Sequence, residues 1–149
     1  MFAPKTILVP TDFSEYSDFA FEQAVDIARQ HKAKIFLFHV NAAVQKCAVD
    51  YCLDDATVKT VEQQSMESAD AMMKRQIDTV VKTKDVDIVS DIVSGVPYEE
   101  ILKEQEAKNI DLIVIASHGR TGLVGHLMGS VTEKVARGAK CHVVIAKKK

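Results

Sequence analysis

The run Leu112-Ile113-Val114-Ile115-Ala116 limits the fold more than any other feature. A strand with one wet face alternates apolar and polar residues, whereas this run is apolar on both faces and needs cover from both sides. Around it, short β-rich runs alternate with segments of helical period. Strands are expected at residues 6–9, ending at Pro10, and at 34–40, 86–93, 111–116 and 142–146. After the first strand, Ser14 suits an N-cap, and Glu15 and Asp18 suit the positive end of a helix dipole. Tyr16, Ala20, Ala24, Ile27 and Ala28 then form a one-sided stripe. Residues 42–55 show no period and read as a loop. Met66, Ala69, Met73, Ile77 and Val80 place a second helix over residues 54–82, with the methionines on its buried face. Gly95 ends the third strand, Pro97 opens a short helix through Ala107, and a last helix over 130–137 is stopped by Gly138. Strand–helix alternation of this kind gives a parallel sheet with right-handed crossovers, an α/β sandwich formed as a single domain over residues 1–149.

Composition narrows the partners. A chain of 149 residues buries enough surface to hold a core without a metal or a disulfide. Its net charge of -2 leaves no basic surplus to neutralise a nucleic-acid backbone. No run approaches the length of a membrane span, and the N-terminal residues lead into a strand without a signal-cleavage pattern. Cys47, Cys52 and Cys141 are too few and too uneven for a disulfide framework, so a reducing cytoplasm is the expected setting. Cys47 and Cys52 read as free thiols and not as a zinc half-site, and Cys141 as a small core residue. The closing Lys147-Lys148-Lys149 reads as a solubilising end.

The chemistry gathers in one place. Five of the six glycines lie between Gly119 and Gly138, in a stretch that leaves a central strand and ends at a helix. Open α/β sheets bind ligands at the carboxyl ends of their strands, and a helix N-terminus attracts anions. Glycines let backbone amides approach phosphate oxygens, Ser130 and Thr132 add hydroxyls, and Arg120 adds charge. A second reading of the same residues stays open. Ser130-Val131-Thr132-Glu133 is also a capping box, which would satisfy the helix with no ligand. The chain has no G-x-x-x-x-G-K-[ST], and its first strand leads into Val9-Pro10-Thr11-Asp12-Phe13 instead of G-x-G-x-x-G. Neither a P-loop nor a dinucleotide fingerprint is present.

Read together, residues 7–14 (Ile7 through Pro10-Thr11-Asp12 to Ser14), Phe38-His39-Val40, Gly95-Val96-Pro97, residues 111–114, Ser117-His118-Gly119-Arg120-Thr121-Gly122 and Gly129 through Val135 resemble the universal stress protein (UspA-like) family over essentially the whole chain. The resemblance implies a five-stranded parallel sheet, homodimers paired through the last strand (142–146) and, in one branch, ATP binding marked by G-x2-G-x9-G-[ST]. Gly119, nine residues and Gly129-Ser130 match that pattern, but Ala116 stands where its first glycine would be.

By position, the resemblance implies that Pro10, Thr11 and Asp12 line the ribose side, and that Asp12 is a possible Mg²⁺ ligand. It implies that Val40 offers backbone groups to the adenine edge. Ala116, Ser117, His118, Gly119, Arg120 and Gly122, with Gly129, Ser130, Val131 and Thr132, would hold the phosphates. Asp12 can equally be a helix cap, and Val40 an ordinary strand end. His118 lacks a partnered nucleophile or carboxylate in sequence and reads as a loop hydrogen-bonder, so no catalytic residue is assigned. The expected protein binds ATP with Mg²⁺ and acts as a stress-linked regulator. The rival readings are a nucleotide-free interaction module and a slow Mg²⁺-dependent ATP hydrolase.

Overall fold

A computed structural model of the chain describes residues 1–42, 54–119 and 128–149. Five parallel strands, β1 (Thr6–Pro10), β2 (Lys34–Asn41), β3 (Ile88–Ser94), β4 (Leu112–Ala116) and β5 (His142–Ala146), form one sheet in the order β3-β2-β1-β4-β5. The described helices are α1 (Glu15–His31), α2 (Asp55–Val80), α3 (Pro97–Ala107) and α4 (Ser130–Gly138).

Strand alternation divides the core into two layers. Ile7, Val9, Ile35, Leu37, Val114 and Ala116 face α1 and α2, where they meet Phe21, Ala24, Ala28 and Met73. Leu8, Phe38, Ile113 and Ile115 face the other way, onto Ile101 of α3 and Val135 of α4. All five residues of β4 are buried, as the double apolar face requires. The buried stripe of α1 runs through Ser17, Phe21, Val25 and Ala28, so Tyr16 and Ile27 flank it instead of centring it.

Two local expectations are corrected. β3 begins at Ile88 and not at residue 86, because the ladder with β2 opens where Asp87 O accepts the Ile35 N–H at 2.8 Å. Gly138 does not stop its helix with a left-handed turn. It lies inside α4, and a Cβ there would sit 2.7 Å from Leu102 Cδ1. α4 runs close to α3 here, and a side chain at 138 would have to push the end of Leu102 aside. Cys141 is half-buried against the α3 and α4 layer, and burial pushes its thiol above the usual range. Cys47 and Cys52 lie outside the described residues. No described helix is long and apolar enough to cross a membrane.

Asp111 pins the two central strands at their amino ends. Its Oδ2 accepts the Lys5 N–H at 2.8 Å and the Thr6 N–H at 3.1 Å, and its own N–H donates to Thr6 O at 3.1 Å. The Lys5 amide, then that of Thr6, holds the carboxyl below the usual carboxylate range. A group depressed in the folded state stabilises above its unfolded pKa and loses that contribution as pH falls through its folded value. Asp111→Asn is therefore expected to cost about 1 kcal/mol at neutral pH, because the site is partly exposed. The gap to wild type in urea denaturation should persist at pH 7 and close below about pH 4. A gap that stays constant down to strong acid would remove the clamp from the account.

Candidate functional site

The sheet order places a topological switch point between β1 and β4. From β1 the chain moves outward to β2 and β3, then crosses over to β4 and β5. Ligands of open α/β sheets bind at the carboxyl ends of strands at such a point. A crevice of about 230 Å³ opens there. Pro10, Thr11 and Asp12 enter it from the end of β1, and His39 and Val40 from the end of β2. Ala116, His118 and Gly119 reach it from β4, and Gly129, Ser130, Val131 and Thr132 from the start of α4. Phe38, Pro97, Ile101 and Ile115 make an apolar wall on the α3 side.

The residues singled out in the sequence thus converge, although more than a hundred positions separate the first from the last. Ser117 is buried behind the lining, where its carbonyl accepts the Gly129 N–H at 2.7 Å and its N–H donates to Ala146 O at 3.0 Å. Arg120, Gly122, Gly125 and His126 lie outside the described residues.

Each wall has a local cause. Asp12 Oδ1 accepts the Ser14 N–H at 3.0 Å, which bends the chain out of β1, and Ser14 alone caps α1 by accepting the Ser17 N–H. A Cβ on Gly119 would lie 2.8 Å from Asp12 Oδ2, so the loop after β4 runs close against the carboxylate, which a side chain at 119 would have to displace. His39 Nδ1 lies 2.7 Å from the Thr11 carbonyl, so that nitrogen must carry the proton and donate. The His39 ring also stacks on Phe13, with centroids 4.3 Å apart. His118 Nδ1 is 2.9 Å from Ser117 Oγ, the loop hydrogen bond expected of it.

A buried polar network supports the Pro10–Asp12 turn from behind. Thr11 Oγ1 donates to Gln76 Oε1 at 2.8 Å, while the Phe13 N–H donates to Thr11 Oγ1 at 3.1 Å. Gln76 Nε2 donates to Asp18 Oδ1 at 2.6 Å, and Ser17 Oγ donates to the Ser14 carbonyl at 2.8 Å. The second Gln76 Nε2 proton is donated to Ser17 Oγ at 3.4 Å, so Gln76, only 5% exposed, has both donors and its carbonyl oxygen engaged. Sequence reasoning missed Gln76 and His39. Both carried a signal: Gln76 interrupts the apolar stripe of α2 after Met73, and His39 is a polar residue at the ligand end of an apolar strand.

The start of α4 separates the two readings of the glycine loop. The capping-box expectation is corrected here. The N-cap is Gly129 with no side-chain cap hydrogen bond, Ser130 is already the first helical residue, and Glu133 pairs with Arg137 at 3.0 Å. Thr132 turns its hydroxyl inward to Ala116 O at 2.7 Å. The helix therefore points an end without a side-chain cap into the crevice. Gly129 itself has ordinary extended angles (φ -70°, ψ 160°), and among the described residues a Cβ there would meet atoms only at 3.7 Å and beyond. Among the described residues, neither strain nor packing requires this glycine.

Ala116 is the departure from the glycine pattern. It belongs to the layer under α1 and α2, whereas Ile115 and the start of α4 belong to the opposite layer. Its methyl group enters the core on the far side of the sheet from the α4 terminus. Among the described residues no group of three His, Cys, Asp or Glu is arranged to hold a metal. Among the described residues, Asp12 is the one carboxylate lining the crevice.

Comparison with known proteins agrees with this architecture. The universal stress protein family pattern matches residues 4–147. Universal stress protein MJ0531 of Methanocaldococcus jannaschii is 31% identical, with 97% of this chain and 82% of that protein covered. The solved structure of MJ0577, from the same organism, superposes with a TM-score of 0.84 at 29% identity, covering 99% of each chain. A universal stress protein solved in complex with cAMP superposes with a TM-score of 0.69 at 25% identity, covering 98% of each. A match that spans nearly the whole chain, on the same five-stranded sheet, means that this chain belongs to the universal stress protein family.

Proposed function

We propose that the chain binds ATP, or a closely related adenine nucleotide, in the crevice at the β1–β4 switch point, and acts as a regulator through a homodimer. The N-terminus of α4, lacking a side-chain cap and opening on Gly129, carries this reading, because its amides and dipole suit a phosphate chain. The phosphates would lie against Gly119, Gly129, Ser130, Val131 and Thr132, with Ala116, Ser117 and His118 forming the loop behind them. Arg120 and Gly122 belong to the same proposal through the family pattern. The apolar wall of Phe38, Ile101 and Ile115 suits a purine, with Val40 at its edge, and Pro10, Thr11 and Asp12 stand between the two ends. That a structural relative is solved with cAMP supports an adenine ligand. Mg²⁺ fits as a companion of the phosphates, since it accepts one carboxylate with phosphate oxygens and water, and Asp12 would supply that carboxylate.

The dimer reading rests on β5. Ser117 N–H bonds Ala146 O, so even-numbered residues of β5 face β4, and Val143 and Ile145 turn their backbone groups to the free edge. Val144 is 40% and Ile145 37% exposed, and the exposed Phe2 ring lies against His142 of the same strand, an edge suited to a second copy. The Ser117–Ala146 bond joins this strand to the crevice loop, which gives ligand binding a route to assembly.

Calorimetric titration with ATP and Mg²⁺ is the test, and ATP should bind in a one-to-one ratio. Ala116→Gly should not raise the affinity, because the methyl faces the other core layer, while it lowers stability by about 1 kcal/mol through lost burial and added chain entropy. Absence of any nucleotide binding would leave the interaction-module reading in its place. Steady phosphate release in the same mixtures would favour the hydrolase.

A further inference from the structure

Among the described residues the sheet has a second outer strand with no strand beyond it, β3, and it differs from the β5 edge. In the β2–β3 ladder the Ile35 N–H donates to Asp87 O and the Gly95 N–H to Asn41 O. Odd-numbered positions of β3 therefore face β2, and Ile88, Ser90, Ile92 and Ser94 turn their N–H and C=O groups outward. Such an edge is a template for pairing with another chain, and Val89 beside it is 42% exposed. One outward donor is already taken, since the Ile92 N–H donates to Asp91 Oδ1 of the preceding residue at 2.9 Å. The groove between this edge and α2 is lined by Glu67 and Asp70 of the helix and by Ser90, Asp91 and Ile92 of the strand, and Lys74 pairs with Asp70 at 2.8 Å.

We propose that Asp91 closes the β3 edge to sheet extension, so that assembly through β5 ends at two copies. Two-fold pairing through β5 joins two sheets and leaves a β3 strand at each outer end. If both outer edges were open, further copies could add without limit, since nothing in a two-fold contact blocks the far side. The Asp91 carboxylate occupies the Ile92 donor that an incoming strand would need. In any β3-to-β3 approach centred on residues 90–92 it also meets its own counterpart, and like charges set opposite each other across strands repel.

The inference rests on the β5 pairing proposed above, and sedimentation separates the two. Wild type should stay at the mass of two chains as concentration rises, and its Ile92 amide should exchange with deuterium more slowly than the outward Ser90 amide. Asp91→Thr keeps a good strand former at an exposed position and removes the carboxylate. Its average mass should climb past two chains with concentration, and its Ile92 amide should lose the protection. If wild type is instead a monomer, the β5 reading fails, and Asp91→Thr alone should then associate. Identical mass distributions for wild type and Asp91→Thr, or an Ile92 amide no slower than that of Ser90, would overturn the role of Asp91.

Discussion

Gly129→Asp is expected to leave the folded protein at least as stable as wild type and to weaken ATP binding about thirtyfold. The backbone at Gly129 already has the extended angles of an N-cap, and the space around it admits a Cβ at ordinary contact distance. An aspartate there can accept the free amides of the first turn, which stabilises α4 by a few tenths of a kcal/mol relative to glycine. The same carboxylate removes those amides from a phosphate and sets a negative charge beside it. Charge-assisted hydrogen bonds contribute about 1.5–3 kcal/mol each, so losing one corresponds to about a tenfold to hundredfold loss. Thermal unfolding without nucleotide and calorimetry with ATP read the two halves separately. A variant that binds ATP as tightly as wild type would move the phosphates away from α4.

The second large effect is on the support of the site. Gln76→Leu keeps the volume but takes the 2.8 Å acceptor from the Thr11 hydroxyl, leaving it Ser17 Oγ at 3.0 Å, and takes from the part-buried Asp18 its 2.6 Å donor. A buried polar group that loses its better partner costs about 1–3 kcal/mol, so the variant should lose about 1–2 kcal/mol in urea denaturation. ATP affinity should fall as well, since the Thr11 hydroxyl and the His39–Thr11 carbonyl bond together place the turn that carries Asp12. A loss below about 0.5 kcal/mol, the range of an ordinary surface substitution, would show that the network is replaceable by apolar packing.

Some residues could be read in sequence and others could not, for separable reasons. The apolar run of β4, the Pro97 start of α3 and the glycines around the crevice were legible because each expresses a local rule: two-sided burial, a fixed φ, a close approach. Gln76 shows where such rules end. Its position on the buried stripe of α2 was visible, but its partners Thr11 and Asp18 lie 58 or more residues away in the chain. Ser130-Val131-Thr132-Glu133 shows another limit. The capping-box pattern is satisfied in letters, yet the helix begins one residue early and Glu133 turns to Arg137. Local patterns of that kind leave a one-residue choice that tertiary packing makes.

What the amino-acid order determined alone was the parallel sandwich and the end of it that gathers polar chemistry. Hydrophobic period and chain punctuation act over a few residues and survive without any partner. The structure decided which glycines face close neighbours and which border an opening: a Cβ on Gly138 would press on Leu102 and one on Gly119 on Asp12, while among the described residues no atom lies closer than 3.7 Å to one on Gly129. It also decided that the methyl of Ala116 enters the core layer away from α4. Those outcomes depend on which groups meet across the sheet, and distances between segments far apart in the chain exist only once the hydrophobic layers have closed.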